Sequence, residues 1–181
     1  MDINLKVNNF AEIIPLAKYD RVAYYSVSIN GSKTTLFELF LNKHTNENYN
    51  KLRHIVKWIK EIGDKYGAKS YYFRNEAYDA DTSALPPKGK KRKPLYIESE
   101  PEIANNLRLY CFRANDYVVF LFGGDIKTKN KAQDCPNVKS HFMLANKLTK
   151  SIDNAFKNKD IRWIKDDTLI EIDAGFKLYF D

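Results

Sequence analysis

The sequence predicts an α+β domain, and three observations predict it. Two β-rich runs, residues 107–113 (LRLYCFR) and 117–122 (YVVFLF), stand in tandem across a short turn. Residues 49–62 carry apolar side chains at helical spacing. Helical and extended segments are grouped rather than strictly alternating, which argues against a Rossmann arrangement. The expected architecture is an antiparallel twisted sheet with an N-terminal helical hairpin and a C-terminal helix packed on it, plus a C-terminal β extension.

The first strand is expected at residues 22–29 (VAYYSVSI), rich in β-formers and closed by the turn signal Asn30-Gly31. Ser32 offers an N-cap for the next segment. Leu36, Phe37, Leu39, Phe40 and Leu41 fit a short helix or a second strand; Phe37, Phe40 and Leu41 at i, i+3 and i+4 favour helix. The clearest helix follows, capped by Asn46 or Asn48. Tyr49, Leu52, Ile55, Val56, Ile59 and Ile62 form one apolar face, and Gly63 and Gly67 mark the end.

Residues 70–78 read as a strand or extended loop. Residues 79–94 are polar, broken by Pro86, Pro87, Gly89 and Pro94, and read as a mobile loop. Residues 95–98 suggest a short strand. In residues 107–113, alternation places Leu107, Leu109, Cys111 and Arg113 on one face and Arg108, Tyr110 and Phe112 on the other. Residues 117–122 are apolar throughout, as expected of a central strand buried on both faces, and Gly123-Gly124 breaks the run. Lys127, Lys129 and Lys131 share a face if the chain stays extended. A helix is expected from about 138 to 156, packing through Phe142, Ala145, Leu148, Ile152 and Ala155. The tail, 161–180, reads as two short strands turning near Ala174-Gly175, with Asp166-Asp167 as a further turn.

The 181 residues suit a single domain, with 44% apolar and 29% charged residues, a globular rather than disordered composition. No apolar run approaches the ~18 residues of a membrane span, and the N-terminus lacks a secretory pattern. A cytoplasmic protein without a membrane partner is expected. A net charge of +7 and a pI near 9.2 suit an anionic partner such as nucleic acid, or simply a soluble basic protein. Cys111 and Cys135 lack the spacing of a zinc site; Cys111 reads as a packed thiol and Cys135 as a loop residue beside Pro136.

No phosphate-binding GxxxxGK[ST] loop and no GxGxxG occurs. His44, His54 and His141 are scattered, with none at metal-ligand spacing from another, and His54 reads as a satisfied helix residue. No carboxylate pair stands out as an acid/base dyad. Neither metal nor cofactor is expected. Chemistry is offered by Arg108, Arg113, Lys127, Lys129 and Lys131, on or just beyond two neighbouring strands. Arg grips two phosphate oxygens at once, Lys acts as a mobile point charge, and both stabilise charge that grows during phosphoryl transfer. Tyr110, Phe112 and Tyr117 lie nearby and, if exposed, could stack bases. The alternative for these residues is a solvated sheet edge protected by Lys. Lys90, Lys91 and Arg92, in the basic cluster 88–93, offer non-specific RNA contacts.

In its order of elements the chain resembles the RelE/HigB superfamily of bacterial toxin–antitoxin toxins. The resemblance covers roughly residues 22–156: a strand (Tyr24-Tyr25-Ser26-Val27), a helical hairpin ending at Lys57–Gly67, the strands Leu107–Arg113 and Tyr117–Lys129, then a helix. It implies a RelE-like core, with 161–180 as an appended strand extension. It further implies a metal-independent endoribonuclease that cuts messenger RNA at the ribosome, and a cognate antitoxin protein. Arg108, before Leu109-Tyr110, matches the family's phosphate-contacting strand arginine, and Lys127 and Lys129 match basic residues after the next strand. The implied step is attack of the RNA 2′-hydroxyl on the adjacent phosphate. Arg108 and Lys127 stabilise the pentacovalent anion, and Lys129 assists or moves a proton. The chain departs from the family in length, in the 79–94 insertion, and in lacking a clear C-terminal Tyr or His; Tyr110 and His141 are the candidates. A non-catalytic RNA- or ribosome-binding module on the same fold, and a ParE-like topoisomerase-binding toxin, are the rival readings.

Overall fold

The computed structural model describes residues 8–77, 80–89, 92–97 and 104–181. Twelve elements follow in chain order: strands β1 (Asn9–Lys18) and β2 (Ala23–Ile29); helices α1 (Leu36–Glu47) and α2 (Tyr49–Glu61); strands β3 (Arg74–Asn75), β4 (Thr82–Leu85), β5 (Leu107–Arg113) and β6 (Val118–Ile126); helix α3 (Lys139–Lys157); and strands β7 (Ile161–Ile164), β8 (Leu169–Ile172) and β9 (Leu178–Phe180). The fold is α+β. Seven strands form one sheet in the order β3-β4-β5-β6-β2-β1-β9, and β7-β8 form a separate hairpin.

The sheet is mixed, which corrects the antiparallel expectation. β2 runs parallel to β6, with Ala23 opposite Val118 and Tyr25 opposite Phe120. Alternation within a strand reports which face is buried and says nothing about the direction of its neighbour. Two strands rather than the one expected at 22–29 precede the helix pair α1–α2. β1 has no counterpart in the sequence reading because Pro15 and the Ile13-Ile14 doublet obscure its alternation. A register shift between Pro15 and Ala17 accommodates the proline.

Alternate side chains of the central strands feed two cores. Tyr24, Leu107, Leu109, Cys111, Val119 and Leu121 meet Phe40 of α1 and Leu52, Ile55, Trp58 and Ile59 of α2. Tyr25, Val27, Tyr110, Phe112, Phe120 and Phe122 meet Phe142, Ala145, Leu148, Ile152 and Ala155 of α3, together with the C-terminal strands. The sheet is therefore a middle layer between helices, and β6 is buried on both faces as its composition predicts.

Local signals explain the helix ends. Thr35, not Ser32, caps α1: its hydroxyl accepts from the Glu38 N–H while the Glu38 carboxylate accepts from the Thr35 N–H. Asn48 separates α1 from α2, and its side-chain amide lies 2.9 Å from Nδ1 of His44 instead of capping α2. A single π turn, Ile62–Tyr66, continues α2 until Gly67 at φ 74° ends it. Gly63 does not terminate the helix; it leaves room for Tyr19, whose ring would stand 2.6 Å from a Cβ there. Val56 and Tyr49, expected on the packing face of α2, are exposed.

Several expectations are revised between the helices and the tail. Within 70–78 the chain makes one 3-10 turn, Ser70–Tyr72, then β3. The expected loop 79–94 contains β4, whose Ala84 and Leu85 are fully buried and which pairs with β5 from Thr82–Phe112 to Leu85–Leu109. Residues 95–97 are not a strand, and 98 lies outside the described residues. The tail forms three strands, not two. Lys165, Asp166 and Asp167 turn β7 into β8, and β9 joins the main sheet beside β1. Among the described residues no helix is long and apolar enough to cross a membrane.

Gly123-Gly124 does not break β6, which runs on to Ile126. A Cβ on Gly124 would stand 1.7 Å from the Arg108 carbonyl oxygen, where the β5–β6 register shifts between Leu109 and Cys111. Gly124→Ala is expected to lower unfolding free energy by at least about 3 kcal/mol, because backbone rather than a movable side chain must give way. Urea denaturation of the variant against the wild type measures this.

Candidate functional site

The sheet end formed by β3, β5 and β6 opens into a cavity of about 550 Å³. Strand pairing assembles it. Arg74 on β3 lies opposite Ala84 on β4, and Ala84 lies opposite Tyr110 on β5. Glu76 follows β3 and prolongs its pairing, its N–H donating to the Thr82 carbonyl. Arg108 shares the face of Tyr110, two residues along β5. Lys127 follows β6 directly, held by donation from its N–H to the Asn106 carbonyl at 2.8 Å.

Glu76 is the hub. Its Oε2 accepts from Lys127 Nζ at 2.8 Å, and its Oε1 stands 3.9 Å from Arg108 Nε. These three side chains are nearly buried, with 8%, 12% and 11% exposure for Glu76, Lys127 and Arg108. Arg108 is aimed by its own backbone, as Nη1 donates to the carbonyls of Asn105 and Leu107. Arg74 is likewise fixed, donating from Nε to the Pro86 carbonyl at 2.6 Å. Among the described residues the cavity is lined by six cationic side chains (Arg74, Lys88, Arg108, Lys127, Lys129, Lys131) and one carboxylate, a net charge of +5.

Burial, and then the neighbouring Arg74 charge, bring the Arg108 pKa down from 12.5 to about 10. The guanidinium stays charged at neutral pH, but in a setting that favours an additional anion. Burial, and then the Glu76 charge, push the Tyr110 phenol well above its ordinary range. Its hydroxyl therefore keeps its proton. Among the described residues, Arg108 Nε and Tyr110 OH are both buried and find no hydrogen-bond partner, so two donors beside Glu76 have unused capacity. The loop 127–135 is tied down by Cys135, whose Sγ accepts from the Thr128 N–H at 3.3 Å. Burial opposes ionisation of that thiol; donors from Thr128, Val138 and Lys129 outweigh it and bring its pKa from 9.0 to about 7.

The structure brings together Arg108, Lys127, Lys129 and Lys131 of the residues singled out from sequence, and adds Lys88. It does not bring Arg113 to them. Arg113 stands at the opposite end of β5, roughly 17 Å away at ~3.3 Å per residue, and donates to Asp116 and the Ala68 carbonyl. Arg92 lies outside this cavity, donating to the Tyr71 carbonyl. Lys90 and Lys91 lie outside the described residues. Tyr110 and Phe112 are buried in the α3 core rather than exposed, so they are not stacking surfaces; Tyr117 is exposed, but at the Arg113 end. His141 faces Gly123 rather than the cavity, with its Nδ1 3.2 Å from where a Cβ would be.

Sequence reading missed Arg74 and Glu76. The only local signal was an Arg-x-Glu alternation in a short segment, and one carboxylate among cations three strands away leaves no spacing pattern. Among the described residues no group of three or more His, Cys, Asp or Glu is arranged to hold a metal ion. His54 is satisfied within its surroundings, its Nε2 lying 2.9 Å from the Pro94 carbonyl and its Nδ1 3.0 Å from the Asn105 side-chain amide.

Two measurements test these assignments. Glu76→Ala leaves the nearly buried Lys127 and Arg108 without their carboxylate and is expected to destabilise the fold by about 3 kcal/mol. Added sulfate should recover part of the loss by occupying the cavity; denaturation in chloride and in sulfate at equal ionic strength checks both effects. His54 and His141 are held below the ordinary histidine pKa of 6.5, chiefly by burial. The unfolded chain then binds more protons than the fold as pH drops through 6.5, so stability should fall from pH 7 towards pH 5. His54→Gln should flatten that decline.

Comparison with protein-family models, with curated proteins and with solved structures finds no match.

Proposed function

We propose that this chain is a metal-independent endoribonuclease that cuts messenger RNA at the ribosome, the toxin of a toxin–antitoxin pair of the RelE/HigB kind. The observation that carries the ribonuclease reading is the pairing of Arg108 and Lys127 with the Glu76 carboxylate, in a cavity also lined by Arg74, Lys88, Lys129 and Lys131. The ribosome, the antitoxin and the cytoplasmic setting rest on the resemblance of the strand, helix pair, strands and helix of residues 22–156 to that superfamily.

In this reading an RNA phosphate enters beside Glu76. The carboxylate takes the proton of the 2′-hydroxyl, and the 2′-oxygen bonds to phosphorus. Arg108 and Lys127 stabilise the pentacovalent anion, Arg108 through Nε, which faces Glu76 at 3.9 Å, beyond hydrogen-bond range. The bond from phosphorus to the 5′-oxygen breaks, and that oxygen takes a proton from Lys129 at the rim. The products are a 2′,3′-cyclic phosphate and a 5′-hydroxyl. Glu76 thus supplies a base that the sequence alone did not offer.

One observation favours a second reading, RNA binding without cleavage: no histidine lines the cavity. Incubation of the purified protein with messenger RNA, with and without ribosomes and in the presence of a chelator, separates the two. Cleavage should persist in chelator and leave cyclic-phosphate ends. The double variant Arg108→Ala, Lys127→Ala should slow it at least ~100-fold, and Glu76→Gln by a similar factor. Salt-sensitive binding with intact RNA would establish the binding module instead. DNA-damage signalling on expression, with messenger RNA unaffected, would favour the topoisomerase-binding reading.

A further inference from the structure

The basic cavity does not end at Arg74. Arg74 also lines a narrow cleft of about 70 Å³ with Trp58, Pro87 and Arg92. Trp58 and Arg92 in turn line a third, open depression of about 360 Å³ with Tyr66, Tyr71, Tyr72 and Lys93. The three thus form a track of adjacent depressions that share walls.

The far end of that track is aromatic. Tyr66 and Tyr72 stack with ring centroids 4.9 Å apart and planes 17° apart. Tyr71 lies 4.7 Å from Tyr72 and is 60% exposed. The Arg92 guanidinium sits 5.9 Å from the Tyr72 ring while its Nη1 donates to the Tyr71 carbonyl at 2.8 Å, so the cation is held at the platform. Trp58 supports the cluster from the buried core. Tyr72 and Arg74 are two residues apart, a separation of roughly 7 Å in extended chain. Aromatic faces beside fixed cations, next to a basic cavity roomy enough for a phosphate, match the alternation of base and phosphate in a single strand.

We propose that Tyr71, with Tyr72 and Arg92 behind it, is a base-stacking subsite for an unpaired nucleotide of an RNA strand whose backbone lies in the Arg74–Lys127 cavity. The proposal rests on reading that cavity as an RNA-phosphate site. A duplex cannot use the subsite, because its bases are stacked on one another.

Fluorescence anisotropy with a short, uncleavable 2′-O-methyl RNA tests it, using the wild type, Tyr71→Ala, Tyr71→Phe and Lys127→Ala. An abasic oligomer of equal length serves as the control for phosphate contacts alone. Tyr71→Ala should weaken binding of the base-bearing strand about tenfold, the order of one base–aromatic stack, and leave the abasic oligomer unchanged. Tyr71→Phe should bind within about twofold of wild type, since the ring is what stacks. Loss on Lys127→Ala with none on Tyr71→Ala would overturn the subsite and leave the phosphate cavity standing. Equal loss of both oligomers on Tyr71→Ala would also overturn it. Binding indifferent to Lys127→Ala as well would overturn the phosphate reading, and the subsite with it.

Discussion

The backbone of β6 passes so close to β5 at Gly124 that a Cβ would stand 1.7 Å from the Arg108 carbonyl. Fold and candidate site both depend on that approach. It lets β6 run past the glycine pair to Ile126 and deliver Lys127 to the end of β5 where Arg108 begins. Without it the two cations would sit on diverging chains and could not share one carboxylate. β6 itself is held by apolar contacts on both faces, to α2 on one side and α3 on the other, so its end has little freedom to wander.

Electrostatics at that end are deliberately unbalanced. Burying a cation without a partner is costly, yet the described lining of the cavity sets six cations against Glu76. Glu76 keeps the nearest pair tolerable, with Lys127 at 2.8 Å and Arg108 at 3.9 Å. The backbone carbonyls of Asn105, Leu107 and Pro86 hold the two arginines in place. What remains is surplus positive charge, pre-aimed and partly desolvated, which stabilises a phosphate more than mobile surface lysines do. In the proposed reaction the same arrangement would give Glu76 two roles: counter-ion to Lys127 and Arg108, and proton acceptor once a phosphate takes over that pairing.

Much of the chain was legible where one physical rule dominates. The α2 and α3 packing faces reflect burial against one layer, while β5 and β6 reflect burial between two, and the pattern of apolar residues reports each directly. Legibility failed where two rules compete. Pro15 hides β1 within a strand that tolerates it at a register shift, and the prolines and lysines around β4 mask a buried four-residue strand. Gly123-Gly124 reads as a terminus because glycine usually weakens strands, whereas here it serves close backbone approach.

The site divides in the same way. Arg108, Lys127 and Lys129 were visible in sequence because they lie on one local stretch, at the ends of adjacent strands of a hairpin. Arg113 looked equivalent by composition, but the length of β5 carries it to the opposite end of the sheet. Arg74 and Glu76 could be recognised only after β4 had inserted between β3 and β5 and set the edge strand beside the hairpin. By itself the sequence determined which residues are buried in regular elements and that cations gather near one hairpin, because both follow from local periodicity and charge. The tertiary structure alone decided which cation meets which carboxylate, because that depends on the order and direction of strands, which no local pattern encodes.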